Sequence, residues 1–226
     1  MLEWIGLNFG LLVAGYLLGS IPTGYLVAQG LYKIDLRQVG SGSTGATNVL
    51  RSCGKSPALF VLSVDILKGV AAIALVFWIY SLNITPQIAA SANISDVNTV
   101  LYWMTTGAGL MALLGHTKPV WIGFQGGKAV ATSLGILLAF NWQLGLATLG
   151  IFALFLAISR IVSLSSIAGA VGIASLMVIT NQPLPYQIFG IVGGIYVILR
   201  HRSNIERLLK GTEPRIGQTL STSTEA

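Results

Sequence analysis

The sequence has little charge and almost no cysteine, and each shortage excludes a class of protein. Only 9% of the 226 residues are Asp, Glu, Lys or Arg, whereas 54% are hydrophobic and the mean hydropathy is +0.77. A soluble domain carries about 25% charged residues, so this composition predicts a polytopic membrane protein. Cys53 is the only cysteine. An intramolecular disulfide and a cysteine-based metal site are therefore excluded.

The first apolar run also lacks the charged residues that would precede a cleaved signal. The first basic residue is Lys33, whereas a secretory signal begins with a positively charged region. We therefore expect this run to be a retained helix. The formal charge of +6 could indicate binding to nucleic acid. In so apolar a chain, the excess of basic residues in cytoplasmic loops explains this charge better.

Apolar runs long enough to span a bilayer are the next feature. They lie at residues 4–32, 56–80, 99–115, 143–159, 164–180 and 186–200. A shorter run at 129–140 is long enough only if its helix starts near Gly126. The predicted fold class is therefore all-α, with seven transmembrane helices.

The distribution of basic residues predicts the orientation of these helices. Twelve of the 13 Lys and Arg residues fall in one set of connections, and the other set (1–3, 81–98, 141–142 and 181–185) contains none. The positive-inside rule puts the basic side in the cytoplasm, with the N-terminus outside. We therefore expect one transmembrane domain over residues 1–212 and a polar, disordered tail over 213–226.

Residues 39–51, VGSGSTGATNVLR, form the stretch richest in small polar residues. Glycines allow positive φ and close approach to a ligand, successive N–H groups can hold an anion, and Arg51 adds a fixed charge. The candidate binding residues here are Gly40, Ser41, Gly42, Gly45, Thr47, Asn48 and Arg51. A flexible loop between helices is the alternative. The GxGxxG spacing is not a dinucleotide fingerprint, because an apolar run of membrane length precedes it instead of a β-strand.

Two further candidate sites lie in or beside apolar runs. Asp65 and Lys68 are three residues apart inside the second run, so they share a helix face and either form a structural ion pair or line a cavity. The sequence Gly126-Gly127-Lys128 is expected to open a helix, where an N-terminus with glycines can bind phosphate. A lysine at the lipid headgroups is the alternative interpretation.

The stretch 201–213, HRSNIERLLKGTE, contains a candidate base. Ser203 and Glu206 have the spacing of a capping box, and the apolar residues that follow indicate a short amphipathic helix. A basic interfacial helix would explain Arg207 and Lys210 but does not require His201 or Asn204. A histidine with a pKa near 6.5 can serve as a base at neutral pH.

Three of these stretches resemble the motifs of the bacterial acyl-phosphate-dependent glycerol-3-phosphate acyltransferases, the PlsY family. The family motifs read approximately GSGNxGATNxLR, GHxxPxxxxFxGGKGVAT and HRxNIxRLxxGxE, and they match residues 40–51, 115–132 and 201–213. Residues 65–69, DILKG, are similar as well. Ser43 and Ala129 depart from the pattern, where the family has Asn and Gly, and we expect these changes to tune activity without abolishing it.

The resemblance implies an enzyme of the bacterial inner membrane with its active site facing the cytoplasm. It implies transfer of an acyl group from acyl-phosphate to the 1-hydroxyl of glycerol 3-phosphate, which yields lysophosphatidic acid and phosphate. Ser41, Arg51, His201 and Asn204 are then the catalytic residues. Gly126, Gly127 and Lys128, together with the other glycine-loop residues and Lys68, are assigned to substrate binding. Glu213 matches a structural position of the third motif.

No metal or other cofactor is expected, because acyl-phosphate is already activated and the cations can hold both phosphates. The expected partners are the two substrates, the lipid bilayer and the enzyme that produces acyl-phosphate, and no nucleic acid. A transporter of organic phosphates is the alternative function. A second alternative follows from His201-x4-Glu206, which is one methylene away from the His-x4-Asp signature of acyltransferases that use acyl-CoA.

Overall fold

A computed structural model describes residues 1–217 of the chain, and over this range it contains helices and turns but no strand. The helices are α1 Leu2–Ser20, α2 Thr23–Tyr32, α3 Ala46–Cys53, α4 Lys55–Ser81, α5 Ile84–Ser91, α6 Val97–Thr117, α7 Val130–Phe140, α8 Trp142–Ser159, α9 Val162–Ile179, α10 Leu184–Arg200 and α11 Arg202–Leu209. A single 3₁₀ turn, Val120–Ile122, follows α6. The prediction of an all-α fold is confirmed.

Five helical segments are long and apolar enough to cross a membrane. They are Leu2–Tyr32, Lys55–Ser81, Val97–Ile122, Trp142–Ser159 and Val162–Ile179. The other two predicted spans correspond to the shorter apolar helices Val130–Phe140 and Leu184–Arg200. The chain is a multi-pass membrane protein, as predicted. The count of seven spans and the orientation of the termini stay predictions.

The first predicted span is interrupted near its end. Helix α1 ends at Ser20 and α2 begins at Thr23, because Pro22 has no N–H to continue the helical hydrogen bonding. The Ile21 carbonyl at this break accepts a hydrogen bond from Lys68 Nζ at 3.1 Å. A lysine on α4 thus satisfies a backbone group that the kink has released from the helix.

Helix α1 packs against α6 through two glycines. A Cβ built on Gly15 would lie 2.8 Å from the Ala108 carbonyl oxygen, and one on Gly19 would lie 2.1 Å from that of Ala112. Such close backbone contact is typical of helix pairs in membranes. Gly6 and Gly10 have the same spacing in α1, but neither glycine has an atom within 4 Å of its Cβ position. This spacing alone therefore does not bring a helix backbone into contact.

The short helix α7 is held against α4 in the same way. A Cβ on Gly135 would lie 2.0 Å from the Ile66 carbonyl oxygen, and one on Gly69 would lie 2.3 Å from that of Thr132. From α7 onward, successive helices pack on one another, and α10 returns to pack on α6. This arrangement leaves room for a cavity bounded by α4 and α7–α10.

The C-terminal boundary of the folded domain lies beyond residue 212. Glu213 is buried, and the Ile216 N–H donates a hydrogen bond to the Arg160 carbonyl at 2.8 Å. The predicted start of a disordered tail at residue 213 is therefore wrong, because the Glu213 carboxylate is anchored by several donors. Residues 218–226 of the predicted tail lie outside the described residues.

These helix contacts predict different effects for two glycine substitutions in α1. Gly19→Ala should lower the free energy of unfolding by about 1–3 kcal/mol, because the new methyl group would overlap the Ala112 backbone. The matched variant Gly10→Ala has free space and should leave stability unchanged or slightly raise it, since alanine favours helix. Thermal unfolding in detergent measures both. Equal melting temperatures for the two variants would contradict the packing described here.

Candidate active site

A cavity of about 750 Å³ lies between α3, α4 and α7–α11. Its polar end is formed by the glycine-rich loop, the segment before α7 and the start of α11, and it includes Ser41, Arg51, Lys128, His201 and Asn204. Apolar side chains of α4 and α7–α10 line the rest. The three motifs identified in the sequence therefore meet at one end of an apolar cavity.

Asn48 organises the glycine-rich loop. Its Nδ2 donates to the carbonyls of Leu36, Val39 and Ser43 at 3.2, 3.0 and 2.9 Å, and its Oδ1 accepts from the Ser41 N–H at 3.2 Å. The side chain is buried. Because both of its amide groups are engaged by the loop itself, Asn48 shapes the loop and does not offer a free donor to a substrate.

The loop glycines serve the same fold. Gly40 has φ +59°, and a Cβ there would lie 2.2 Å from Asn48 Oδ1. Gly42 has φ +66°, a conformation that side chains other than hydrogen disfavour. Neither residue lines the cavity, whereas Gly45 and Thr47 do. Gly40 and Gly42 therefore turn the chain around Asn48, and their predicted role in approaching a ligand stays a prediction.

Arg51 stands one turn after Asn48 on α3. The opposite face of α3 is buried through Val49 and Cys53, while the Arg51 side chain is exposed and borders the cavity. Burial of one face orients the short helix. It consequently presents Arg51 to the polar end of the cavity, and the role of Arg51 towards a substrate stays a prediction.

The two glycines before Lys128 pack against His116. The Gly127 N–H donates to the His116 carbonyl at 3.1 Å, and a Cβ on Gly127 would lie 2.1 Å from His116 Nε2. Arg200 Nη2 donates to the Gly127 carbonyl at 3.2 Å. Gly126 and Gly127 do not line the cavity. They allow a close backbone approach, but to His116, and so fix the position of Lys128.

Helix α7 begins later than the sequence suggested. Its first residue is Val130, and Ala129 occupies the N-cap position with φ 62° and ψ 11°. This left-handed conformation is costly for a residue with a Cβ and free for glycine, which gives a physical reason for the glycine in the family motif. The prediction that Gly126–Lys128 opens the helix is wrong by a few residues, because the left-handed turn at Ala129 must come first.

Lys128 is the central cation of the site. Its Nζ donates a hydrogen bond to Asn204 Oδ1. Burial lowers the pKa of Lys128 to about 8, an effect that the Glu213 carboxylate opposes and the charges of Arg207, Arg200 and Arg51 reinforce. The concentration of positive charge that lowers this pKa is also what would attract a phosphate.

Asn204 is oriented by a buried carboxylate. Glu213 Oε1 accepts from Asn204 Nδ2 at 2.6 Å and from Ser163 Oγ at 2.7 Å, and Oε2 pairs with Arg207 Nε at 2.7 Å. Burial alone would raise the pKa of Glu213, but these hydrogen bonds outweigh it and hold the pKa below its ordinary value. Glu213 therefore stays ionised and turns the carbonyl of Asn204 towards Lys128.

His201 is held in one tautomer. Its Nδ1 lies 2.7 Å from the Val197 carbonyl oxygen, which can only accept, so Nδ1 carries the proton. Burial is the main cause that lowers the pKa of His201 to about 4. The imidazole is consequently neutral at pH 7, with an unprotonated Nε2 available to accept a proton or a hydrogen bond.

The predicted capping box of α11 does not form. The N-cap residue is His201, no side chain caps the helix, and Ser203 lies inside the first turn. Glu206 is exposed and pairs with Arg202 at 3.4 Å. The helix starts two residues earlier than predicted because α10 leads into α11 with a single intervening residue. Glu206 is therefore directed away from His201, and the acidic residue beside Asn204 at the polar end is Glu213.

Lys68 is not at the cavity. Its Nζ pairs with Asp65 Oδ1 at 2.9 Å and bonds to the Ile21 carbonyl, and the side chain is buried. Asp65 and His116 do line the cavity, and His116 Nδ1 lies 3.8 Å from Asp65 Oδ1 and 3.3 Å from Thr132 Oγ1. The assignment of Lys68 to substrate binding is not supported, because its donors are used to hold α4 at the Pro22 kink.

The polar end contains three residues that sequence reasoning did not assign to the site. Ser163 and Arg207 hold Glu213, and Arg200 holds Gly127. Arg207 lies within the third motif, but its basic character fitted an interfacial helix equally well. Ser163 lies in the first turn of α9, after the short connection of Arg160 and Ile161. No motif surrounds it, so no signal in the sequence marks it.

Comparisons with known proteins place the chain in a family. The family model described as glycerol-3-phosphate acyltransferase matches residues 9–211. The glycerol-3-phosphate acyltransferase of Trichormus variabilis is 60% identical, with 98% of this chain and 97% of the relative covered. That of Trichodesmium erythraeum is 58% identical with the same coverage.

Two solved structures extend the likeness to the fold. Both are of PlsY (YgiH), an integral membrane glycerol 3-phosphate acyltransferase. Its glycerol 3-phosphate form has a TM-score of 0.78 at 37% identity, covering 93% of this chain and 96% of that one. Its lysophosphatidic acid form has a TM-score of 0.75 at 35% identity, covering 93% and 95%. The resemblance found in the three motifs is confirmed, and the chain belongs to the glycerol-3-phosphate acyltransferase family.

Proposed function

We propose that this protein transfers a fatty acyl group from acyl-phosphate to the 1-hydroxyl of glycerol 3-phosphate, releasing lysophosphatidic acid and phosphate. The observation that carries the proposal is the meeting of Arg51, Lys128, His201 and Asn204 at the polar end of an apolar cavity. Cations suit the two phosphates, and the apolar walls suit the acyl chain. The family supports the same acceptor.

The chemistry requires little from the protein beyond positioning and charge. The 1-hydroxyl oxygen attacks the acyl carbon, a new ester bond forms, and the bond from the acyl carbon to the phosphate oxygen breaks. Phosphate leaves as an anion, and the hydroxyl proton passes to a base. Holding both reactants together and stabilising developing negative charge account for catalysis of this kind.

Arg51 and Lys128 are the proposed phosphate ligands. Arg51 is exposed at the rim and offers a bidentate fork, while the half-buried Lys128 supplies a point charge deeper in the site. Ser41 and Gly45 lie on the glycine-rich loop, Thr47 lies in the first turn of α3, and all three border the cavity. Their hydroxyl and backbone donors are proposed to complete the binding of phosphate.

His201 Nε2 is one candidate base, and a phosphate oxygen of the substrate is the other. The low pKa of the unliganded imidazole makes it a weak base by itself. A phosphate dianion bound at Lys128 would raise that pKa by favouring the charged imidazolium. The imidazole could then accept the hydroxyl proton only when substrate is present. Asn204, oriented by Glu213, holds Lys128 next to this position.

The proposed location of this site is the cytoplasmic face of the inner membrane, and the basic connections support it through the positive-inside rule. Water-soluble glycerol 3-phosphate would then enter from the cytoplasm, and acyl-phosphate would come from the enzyme that produces it. Transport of organic phosphates is less compatible with this cavity, because its far end closes on the buried side chains of Ile173 and Phe189.

The choice of acyl donor provides the direct test. Purified protein in bilayers should form lysophosphatidic acid from glycerol 3-phosphate and acyl-phosphate, and none from acyl-CoA. Glu206 cannot orient His201 as the acidic residue of an acyl-CoA enzyme does, since it is exposed and paired with Arg202. Mass spectrometry of the products decides. Turnover of acyl-CoA in place of acyl-phosphate would overturn the proposed donor.

The pKa of Lys128 predicts how substrate binding changes with pH. Since this pKa is about 8, the ammonium is mostly charged at pH 7 and mostly neutral at pH 9. The KM for glycerol 3-phosphate should therefore rise about tenfold between pH 7 and pH 9. In Lys128→Arg the guanidinium stays protonated, so this rise should disappear even if activity is lower. The same rise in both enzymes would show that another group controls binding.

Substitutions at two glutamates test whether the carboxylate network of Glu213 contributes to activity. Glu213→Gln replaces one carboxylate oxygen with an NH2 group, which donates and cannot accept. Either Arg207 at Oε2 or the pair Asn204 and Ser163 at Oε1 therefore loses its acceptor, and kcat should fall at least about tenfold. Glu206→Gln changes only an exposed pair and should retain nearly full activity. Initial rates at saturating substrates compare the two. Equal losses would mean that Glu213 has no special part in the site.

A further inference from the structure

Below its polar end, the cavity ends at the same depth on four helices. The lining residue farthest from the polar end of its helix is Ile66 on α4, Thr148 on α8, Ile173 on α9 and Phe189 on α10. The polar ends of these four helices are Lys55, Ser159, Val162 and Arg200, in the same order. Each of the four lining residues lies 11 residues from the polar end of its own helix. Eleven residues of helix span about 16 Å. The hydrocarbon core is about 30 Å thick, so the cavity is as deep as one leaflet.

The far end is closed by packed side chains. The Phe189 ring lies 5.0 Å from that of Phe140, and Phe140 stacks on Tyr186 at 4.1 Å. Phe189, Ile173 and Tyr186 are all buried and belong to the main hydrophobic core. A ligand that reaches this floor can go no further without displacing core side chains.

The walls above the floor offer no free hydrogen-bonding hydroxyl. The Thr148, Ser166 and Ser133 hydroxyls donate to carbonyls of their own helices at 2.8 Å each. Asp65 and His116 also line the cavity, but the Asp65 carboxylate pairs with Lys68 at 2.9 Å and His116 Nδ1 lies 3.3 Å from Thr132 Oγ1. A polar ligand would therefore lose its hydration here without gaining partners, and the lower cavity suits only an alkyl chain.

One side of the cavity opens at the apolar outer surface of the helices. The lining residues Leu59 and Leu62 on α4 and Leu149 on α8 are exposed. An acyl chain can consequently enter sideways from the leaflet, without passing through water. The same route returns a product that carries this chain to the membrane.

We propose that the floor formed by Thr148, Ile173 and Phe189 sets the acyl-chain length that this enzyme accepts. This inference rests on the proposed acyl transfer. A chain that fills one leaflet fills the cavity, whereas a longer chain must bend or force the floor apart. The acyl chain enters the cavity from lipid and not from water, so hydrophobicity does not determine which chain length is preferred. Steric fit determines it.

Two substitutions should move the preference in opposite directions. Phe189→Ala removes a ring from the floor and should extend the accepted length. Gly169→Val adds bulk to the wall two turns below the polar end, where a Cβ meets only ordinary contacts, the nearest being Thr148 Cγ2 at 3.7 Å. It should shorten the accepted length. Phe155→Ala is the matched control, since Phe155 is exposed on α8 and does not line the cavity.

The experiment is a competition assay in bilayers with glycerol 3-phosphate and a mixture of acyl-phosphates whose chains of about 12 to 20 carbons bracket one leaflet. Product lysophosphatidic acids are quantified by mass spectrometry. The wild type should discriminate at least about fivefold against chains too long for the cavity. Phe189→Ala should relax this limit, Gly169→Val should move it to shorter chains, and Phe155→Ala should match the wild type.

The outcomes separate this inference from the proposed function. No product from any chain with the wild type would refute acyl transfer from acyl-phosphate itself. Product with an unchanged length profile in both variants would refute the floor and leave the function intact. If Phe189→Ala does not fold, the length profile is measured with Phe189→Leu instead. Leucine is smaller than phenylalanine but keeps an apolar contact with Phe140.

Discussion

The functional end of this protein depends on one buried carboxylate. Glu213 accepts hydrogen bonds from Ser163 on α9, Asn204 on α11 and Arg207 on the same helix. A charge in surroundings of low dielectric is stable only when such partners are supplied. The requirement to satisfy Glu213 therefore joins the C-terminal segment to two helices. It also orients Asn204, and through it the position of Lys128.

Glycine acts in this protein mainly by allowing backbones to meet. Gly15 and Gly19 bring α1 onto α6, and Gly69 and Gly135 bring α7 onto α4. Gly127 lets the segment before α7 lie against His116. In each case the glycine makes room for another part of the protein. The glycine density that the motifs share is thus largely a packing requirement that indirectly positions the cations.

Much of the fold could be predicted from the sequence, because the signals are local. A span of apolar residues is recognised by its length, and this does not depend on how the helices pack. The cavity-lining positions of Ser41, Arg51, Lys128, His201 and Asn204 followed from their motifs. The predictions from the sequence were wrong where one local pattern is compatible with two structures. Ser203 and Glu206 had the spacing of a capping box, but the start of α11 was decided by its short junction with α10.

By itself, the sequence determined that the chain is an all-α membrane protein of the glycerol-3-phosphate acyltransferase family, since composition and contiguous motifs carry that information. Only the tertiary structure decided which charged residues face the cavity. Lys68 and Lys128 are both lysines near apolar runs, yet Lys68 bonds to Asp65 and to the Ile21 carbonyl whereas Lys128 meets Asn204. Glu206 and Glu213 differ in the same way, since Glu206 is exposed and pairs with Arg202 whereas Glu213 is buried and bonded to Asn204. Their roles depend on partners far away in the chain, and packing alone brings those partners together.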